Sequence, residues 1–101
     1  MDTNDRLGPI HPGEIVDEDF LKPLSISQSR LSKDIGVPPV RINQIVHGKR
    51  GITADTPLRL AKFFGTTAEF WMNLQIHFDL EVQRNVSSEQ LEQFKVFHAA
   101  G

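Results

Sequence analysis

Between Pro39 and Arg50 the chain concentrates side chains that donate hydrogen bonds: Arg41, Asn43, Gln44, His47, Lys49 and Arg50. From Ile35 to Ala54 there are three Lys or Arg and no Asp or Glu, although the formal net charge of the 101 residues is -2. Charge is therefore sorted locally, and the chemistry on offer is the holding of a polyanion rather than the making or breaking of bonds. With so few cations overall, indiscriminate phosphate binding is not expected; a small basic face repeated in a dimer is.

Residues that catalysis or metal binding would need are present but scattered. His11, His47, His77 and His98 form no His-Glu-x-x-His pattern or other metal-ligand spacing. His11, ahead of Pro12, reads as a capping or packing residue, and His77 as packing on an apolar helix. Asp17 and Asp19 point to different sides of a helix and have no evident base or electrophile as partner. Gly48 to Gly51 makes a turn, not a phosphate-binding loop. There is no cysteine to act as nucleophile, metal thiolate or disulfide. The expectation is a protein that is not an enzyme and needs neither metal nor organic cofactor.

The elements that must position the basic stretch can be read from Ser27 to Arg50. Ser27 suits the cap of a helix on which Leu31 and Ile35 share a face, and Ser32 is small enough to admit a second helix. Gly36 can take the left-handed conformation that ends a helix, and Val37 turns back into the core. Pro39 suits the first position of the next helix, whose Ile42, Ile45 and Val46 form the inner stripe until Gly48 stops it. Two short helices meeting at a glycine, with Pro39, Val40, Arg41, Asn43, Gln44 and His47 left outside, have the spacing of a helix-turn-helix. An αα-hairpin that merely packs has the same spacing and stands beside that reading.

Around this unit the chain reads as all-α. Met1 to Pro9 is a polar, flexible arm; Ile15, Val16 and Phe20 recur at helical spacing in a first helix that Pro23 ends, with Glu14, Asp17, Glu18 and Asp19 on its outer side. That acidic side is either a solvated face or a docking surface for a basic protein. Thr53 is a cap candidate for a fourth helix through Phe64, with Leu58, Ala61 and Phe64 as its stripe, widened by Leu60 and Phe63, and Gly65 as its stop. Thr67 caps a fifth helix running to about Gln83. Phe70, Trp71, Leu74 and Phe78 fit one face of it and Met72, Ile76 and Leu80 another, and the second face is expected to meet its copy across a two-fold axis. The competing arrangement has the last segment cover that face. Ser87 to Gln90 resembles a capping box and would start a sixth helix.

The length allows one domain, with an arm at 1–9, a DNA-binding and dimerisation domain at 10–83 and a tail at 84–101. No apolar run exceeds three residues, so nothing is expected to span a bilayer, and a cytoplasmic chain, nucleoid-associated through DNA, is expected.

Three separated motifs, Ile10-His11-Pro12-Gly13-Glu14-Ile15, the run Gly48 to Thr56, and Gly65-Thr66-Thr67-Ala68-Glu69-Phe70-Trp71-Met72-Asn73-Leu74-Gln75, occur in the order found in HigA-type antitoxins. From about Ile10 to Leu80 the chain closely resembles that family, within the lambda-repressor-like (XRE) helix-turn-helix group. The resemblance implies a five-helix bundle that binds double-stranded operator DNA as a homodimer, represses its own operon and neutralises a RelE-like toxin, a ribosome-dependent mRNA endonuclease.

Carried onto this sequence, Gln28 would hold a phosphate or orient the reader, Val40, Arg41, Asn43 and Gln44 would face the major groove, and His47, Lys49 and Arg50 would meet backbone. Gln44 is the preferred base reader because its amide can pair with adenine through two bonds. Arg41 could read guanine or clamp a phosphate. Val40 and His47 depart from the polar residue and asparagine common in relatives, and Pro38-Pro39 removes two N–H donors. A toxin that cuts RNA is expected to be basic, which makes Glu14, Asp17 and Glu18 a suitable docking face. The rival functions are a stand-alone regulator without a toxin and a protein-interaction adaptor in which the helix-turn-helix is only architecture.

Overall fold

The computed structural model describes residues 8–99, and all its regular structure is helical. Helix α1 (12–24) starts as Pro12–Ile15, widens to a π-helical Val16–Leu21 and closes with Lys22–Leu24. Helices α2 (Gln28–Ile35), α3 (Pro39–Val46), α4 (Asp55–Phe64) and α5 (Ala68–Glu92) follow. Of the arm expected at 1–9, only Gly8 and Pro9 fall within the described residues.

The local signals act where the residue types place them. Ser27 Oγ accepts from Arg30 N at 3.0 Å, Gly36 ends α2 at φ 70°, Pro39 opens α3, and Thr67 Oγ1 accepts from Phe70 N at 3.0 Å. Ser32 is buried between the helices and its hydroxyl donates to the Val37 carbonyl. The core gathers Ile15, Val16 and Leu21 from α1, Leu31 and Ile35 from α2, Ile42 and Ile45 from α3, Leu60 from α4 and Trp71 from α5, with Val37 and Ile52 from the connections. Trp71 is fully buried, its indole N–H donating to Thr66 Oγ1 at 2.7 Å and its ring 5.1 Å from Phe20. An indole buried with its one donor satisfied supplies a large apolar area without a polar penalty.

Five expectations need correction. Pro23 does not end α1: one further residue, Leu24, is helical, and Ser25 ends the helix at φ 55°. Pro23 has no N–H to give, and just before it the ladder slips to the wider register, Lys22 N donating to Asp17 O. Thr53 does not cap α4; Ala54 holds that position and no side-chain capping bond is made. Leu58 is 62% exposed, because the buried side of α4 is Thr56, Pro57 and Leu60. His77 does not pack but is exposed, its Nε2 3.8 Å from Glu81. Finally, no sixth helix begins at Ser87: α5 continues through it to Glu92, so residues 84–92 prolong the fifth helix instead of folding back over it. No glycine or proline between Gln83 and Ser87 breaks the helix, so Ser87 meets Gln83 one turn earlier. The described chain measures 58 × 30 × 22 Å.

Candidate nucleic-acid interface

Helix α3 is fixed on its inner side before its outer side can serve as a reader. Ile42 and Ile45 are buried in the core. Helix α1 crosses the end of α3 at Gly13, where a Cβ would lie 1.7 Å from the Ile45 carbonyl oxygen and 2.9 Å from Val46 Cα. Only a residue without a side chain allows two backbones to approach so closely. His11 closes the same junction. Its Nδ1 accepts from Gly13 N at 2.9 Å, its ring packs edge-on to Phe78 with centroids 4.9 Å apart, and it hydrogen bonds with the backbone of Arg50. Burial lowers the His11 pKa below its ordinary 6.5, although the Arg50 backbone, Asp79 and Glu14 pull it the other way.

The outer side carries the residues expected there. Val40, Asn43, His47, Lys49 and Arg50 are exposed, as is Pro39 at the start of the helix. Gln44 and Arg41 are half-buried. Gln28 lies on α2, and its Oε1 is 3.4 Å from Asn43 Nδ2, which brings the two amides together across the turn. His47 Nδ1 donates to the Asn43 carbonyl at 2.8 Å, so its other ring nitrogen faces away from the helix. The glycine turn after α3 is closed by Gly48 N to Ile45 O at 3.0 Å and Lys49 N to Gln44 O at 2.8 Å, and it presents Lys49 and Arg50 beside the helix end.

Three supporting residues had no local signal. Asp55, the first residue of α4, accepts from Arg41 Nη1 at 3.2 Å and from Arg59 Nε at 2.9 Å, and its carboxyl is held below the usual carboxylate range first by Arg59 and then by Arg41. Arg59 also donates to the Ile35 carbonyl at 2.7 Å, satisfying an orphan acceptor at the end of α2. Gln75 is 7% exposed; its Oε1 accepts from Ile52 N at 2.8 Å and its Nε2 donates to Asp79 at 2.9 Å, tying the connection after α3 to α5. The only hint in the sequence is a polar residue one turn after Trp71 on an apolar face.

The other predicted surfaces lie apart from this face. Lys22 Nζ sits 2.6 Å from Glu18 and 3.5 Å from Asp17, so the acids of α1 are partly neutralised by their own helix, and Glu14 is half-buried in its first turn. Met72 is half-buried, whereas Ile76 and Leu80 are each about half exposed along α5. Among the described residues no group of His, Asp and Glu is placed to hold a metal, and no helix is long and apolar enough to cross a membrane.

Comparison with known proteins agrees with this geometry. Residues 18–71 match the helix-turn-helix family model. Virulence-associated protein I of Dichelobacter nodosus is 52% identical over 73 residues, 72% of this chain and 68% of that protein. A Pseudomonas aeruginosa protein solved in complex with its operator DNA superposes with a TM-score of 0.88 at 38% identity, covering 93% of this chain and all of that one. The Pseudomonas aeruginosa antitoxin HigA, solved with the higBA promoter, gives 0.85 at 37% identity over 89% of this chain and 99% of that one. By the family model and these relatives, the chain belongs to the helix-turn-helix family and, within its XRE-type members, to the HigA-type antitoxins.

Proposed function

We propose that this chain is an autorepressor and antitoxin that binds an inverted-repeat operator as a homodimer and neutralises a basic, RelE-like toxin. The observation that carries the reading is the contrast between the two sides of α3: Ile42 and Ile45 are locked inside, while Val40, Asn43, His47, Lys49 and Arg50 stand outward on a stretch without acids. A rigid helix with a solvated, donor-rich face is what major-groove contact requires. The operator-bound relatives support it.

In this reading Gln44 and Arg41 address base edges, Val40 can touch a thymine methyl, and Gln28, His47, Lys49 and Arg50 hold the backbone. Residues 10–83 form the unit that binds DNA and dimerises. Ile76 and Leu80, with Met72 beside them, provide the apolar side of α5 for a two-fold contact that sets two reading helices about 34 Å apart. Glu14, Asp17 and Glu18 offer the toxin an acidic face, and the cytoplasm is where DNA, ribosome and toxin would be met.

Gel retardation on DNA upstream of the gene, across a salt series, tests the DNA part. Arg41→Ala with Lys49→Ala should weaken the complex and flatten its salt dependence. Retardation unchanged by that pair would favour the adaptor reading. Co-purification with the product of a neighbouring short reading frame tests the toxin part: charge reversal at Glu14 and Asp17 should abolish it, and absence of such a frame would leave a stand-alone regulator.

A further inference from the structure

Arg41 is the only arginine on α3, and it is drawn inward. Its side chain is 30% exposed, against 62% for Lys22 and 64% for Arg30, whose ion pairs lie along open helix faces. There it meets Asp55, whose Oδ2 is 3.2 Å from Arg41 Nη1. The other carboxylate oxygen accepts from Arg59 Nε at 2.9 Å, and Arg59 Nη1 is itself bonded to the Ile35 carbonyl at 2.7 Å. One line of contacts therefore runs from the end of α2, through α4, to the reading helix.

A carboxylate here has a cost, since it repels phosphate beside a stretch, Ile35 to Ala54, that carries no acid of its own. What it supplies in return is direction. A guanidinium held through one Nη1 keeps its remaining donors but loses the freedom to swing toward the nearest phosphate. Because Asp55 is gripped by Arg59, and Arg59 by backbone, the restraint has a fixed base.

We propose that Asp55 is a specificity-determining positioning residue, which aims the Arg41 guanidinium at a base edge with two adjacent acceptors, as guanine presents, and lowers affinity for all other DNA. The proposal rests on the operator-binding reading above and deepens it. Without Asp55, Arg41 becomes one more phosphate contact.

The test is fluorescence anisotropy of the full chain on its upstream operator duplex and on a scrambled duplex of equal length, across a salt series, for the wild type, Asp55→Asn, Arg41→Ala and the double variant. Thermal melts are run alongside, and Asp55→Ser, which keeps a short polar residue at the start of α4, repeats the comparison. Asp55→Asn should bind scrambled DNA more tightly, with the salt slope steeper by about 0.9, and should lower the operator-to-scrambled ratio about five-fold or more. In the Arg41→Ala background the same change should leave the ratio unaltered. A ratio that stays within about two-fold of wild type in both Asp55 variants, or that falls equally without Arg41, overturns the proposal while leaving operator binding intact. A wild-type chain with no preference for the operator removes the operator reading and this proposal together.

Discussion

Replacing Gly13 by alanine should be among the most damaging single-methyl changes in the chain. The added Cβ would stand 1.7 Å from Ile45 O, 2.5 Å from Ile45 C and 2.9 Å from Val46 Cα, all backbone atoms of the last turn of α3. No side chain can rotate away to relieve this. An ordinary carbon–oxygen contact is about 3.3 Å, so α1 and α3 would have to part by roughly 1.6 Å at the crossing. That separation loosens Ile15, Val16 and Ile45, all buried against one another's helices, and breaks the Nδ1 cap that His11 makes on Gly13 N. Overpacking a core costs about 1–3 kcal/mol, and a backbone-to-backbone clash belongs at the upper end, about 3 kcal/mol. For a domain of this size that lowers the melting midpoint by about 12 °C or more. Thermal melts followed by circular dichroism at 222 nm measure it. Gly65→Ala is the internal standard, because Gly65 has φ 72° but open space around it, and its strain alone costs about 1 kcal/mol. A Gly13→Ala chain no less stable than Gly65→Ala would refute the close approach of α1 to α3.

Three further outcomes follow from single contacts. Gln75→Met keeps the side chain's bulk but removes the acceptor for the buried Ile52 N–H; it should cost about 1–3 kcal/mol, and hydrogen exchange at the Ile52 amide should lose its protection. Ser25→Gly should stabilise the chain by about 0.5–1 kcal/mol, since Ser25 holds φ 55° at the end of α1, and a lower midpoint would contradict that backbone. His11 takes up a proton less readily in the folded chain than in the unfolded one, because burial lowers its pKa below 6.5. Its neutral ring therefore contributes stability fully above about pH 6.5, and that contribution is lost as pH falls through the folded-state pKa; His11→Asn should flatten melting midpoints over this range.

What could be read from the sequence was local. Ser27, Gly36, Pro39 and Thr67 act within one helical turn of themselves, so their cap and turn chemistry located α2, α3 and the start of α5. The outward donors of α3 followed from that register. Helix α4 misled because apolar residues occur at 57, 58, 60, 61, 63 and 64 around much of its circumference, and it is Pro57 and Leu60, not Leu58, that are buried. The capping-box pattern at Ser87 is a start signal only where a helix has ended, and none has. Asp55 meets the Arg41 side chain across 14 residues, and Gln75 meets the backbone N–H of Ile52 across 23, separations at which no periodicity connects the partners. Gly13 did carry a hint, since glycine within a helix implies close approach, but which backbone approaches is a property of the fold.

On the proposed function, the outer side of α3 reads operator DNA. Footprinting of the purified chain on DNA upstream of its own gene, with Gln44→Ala alongside and salt varied, decides this. The expected result is a protected inverted repeat with half-sites about 34 Å apart, weakening as salt rises and losing base discrimination in the variant. No protection at low salt, or protection identical for Gln44→Ala at every base, would contradict it.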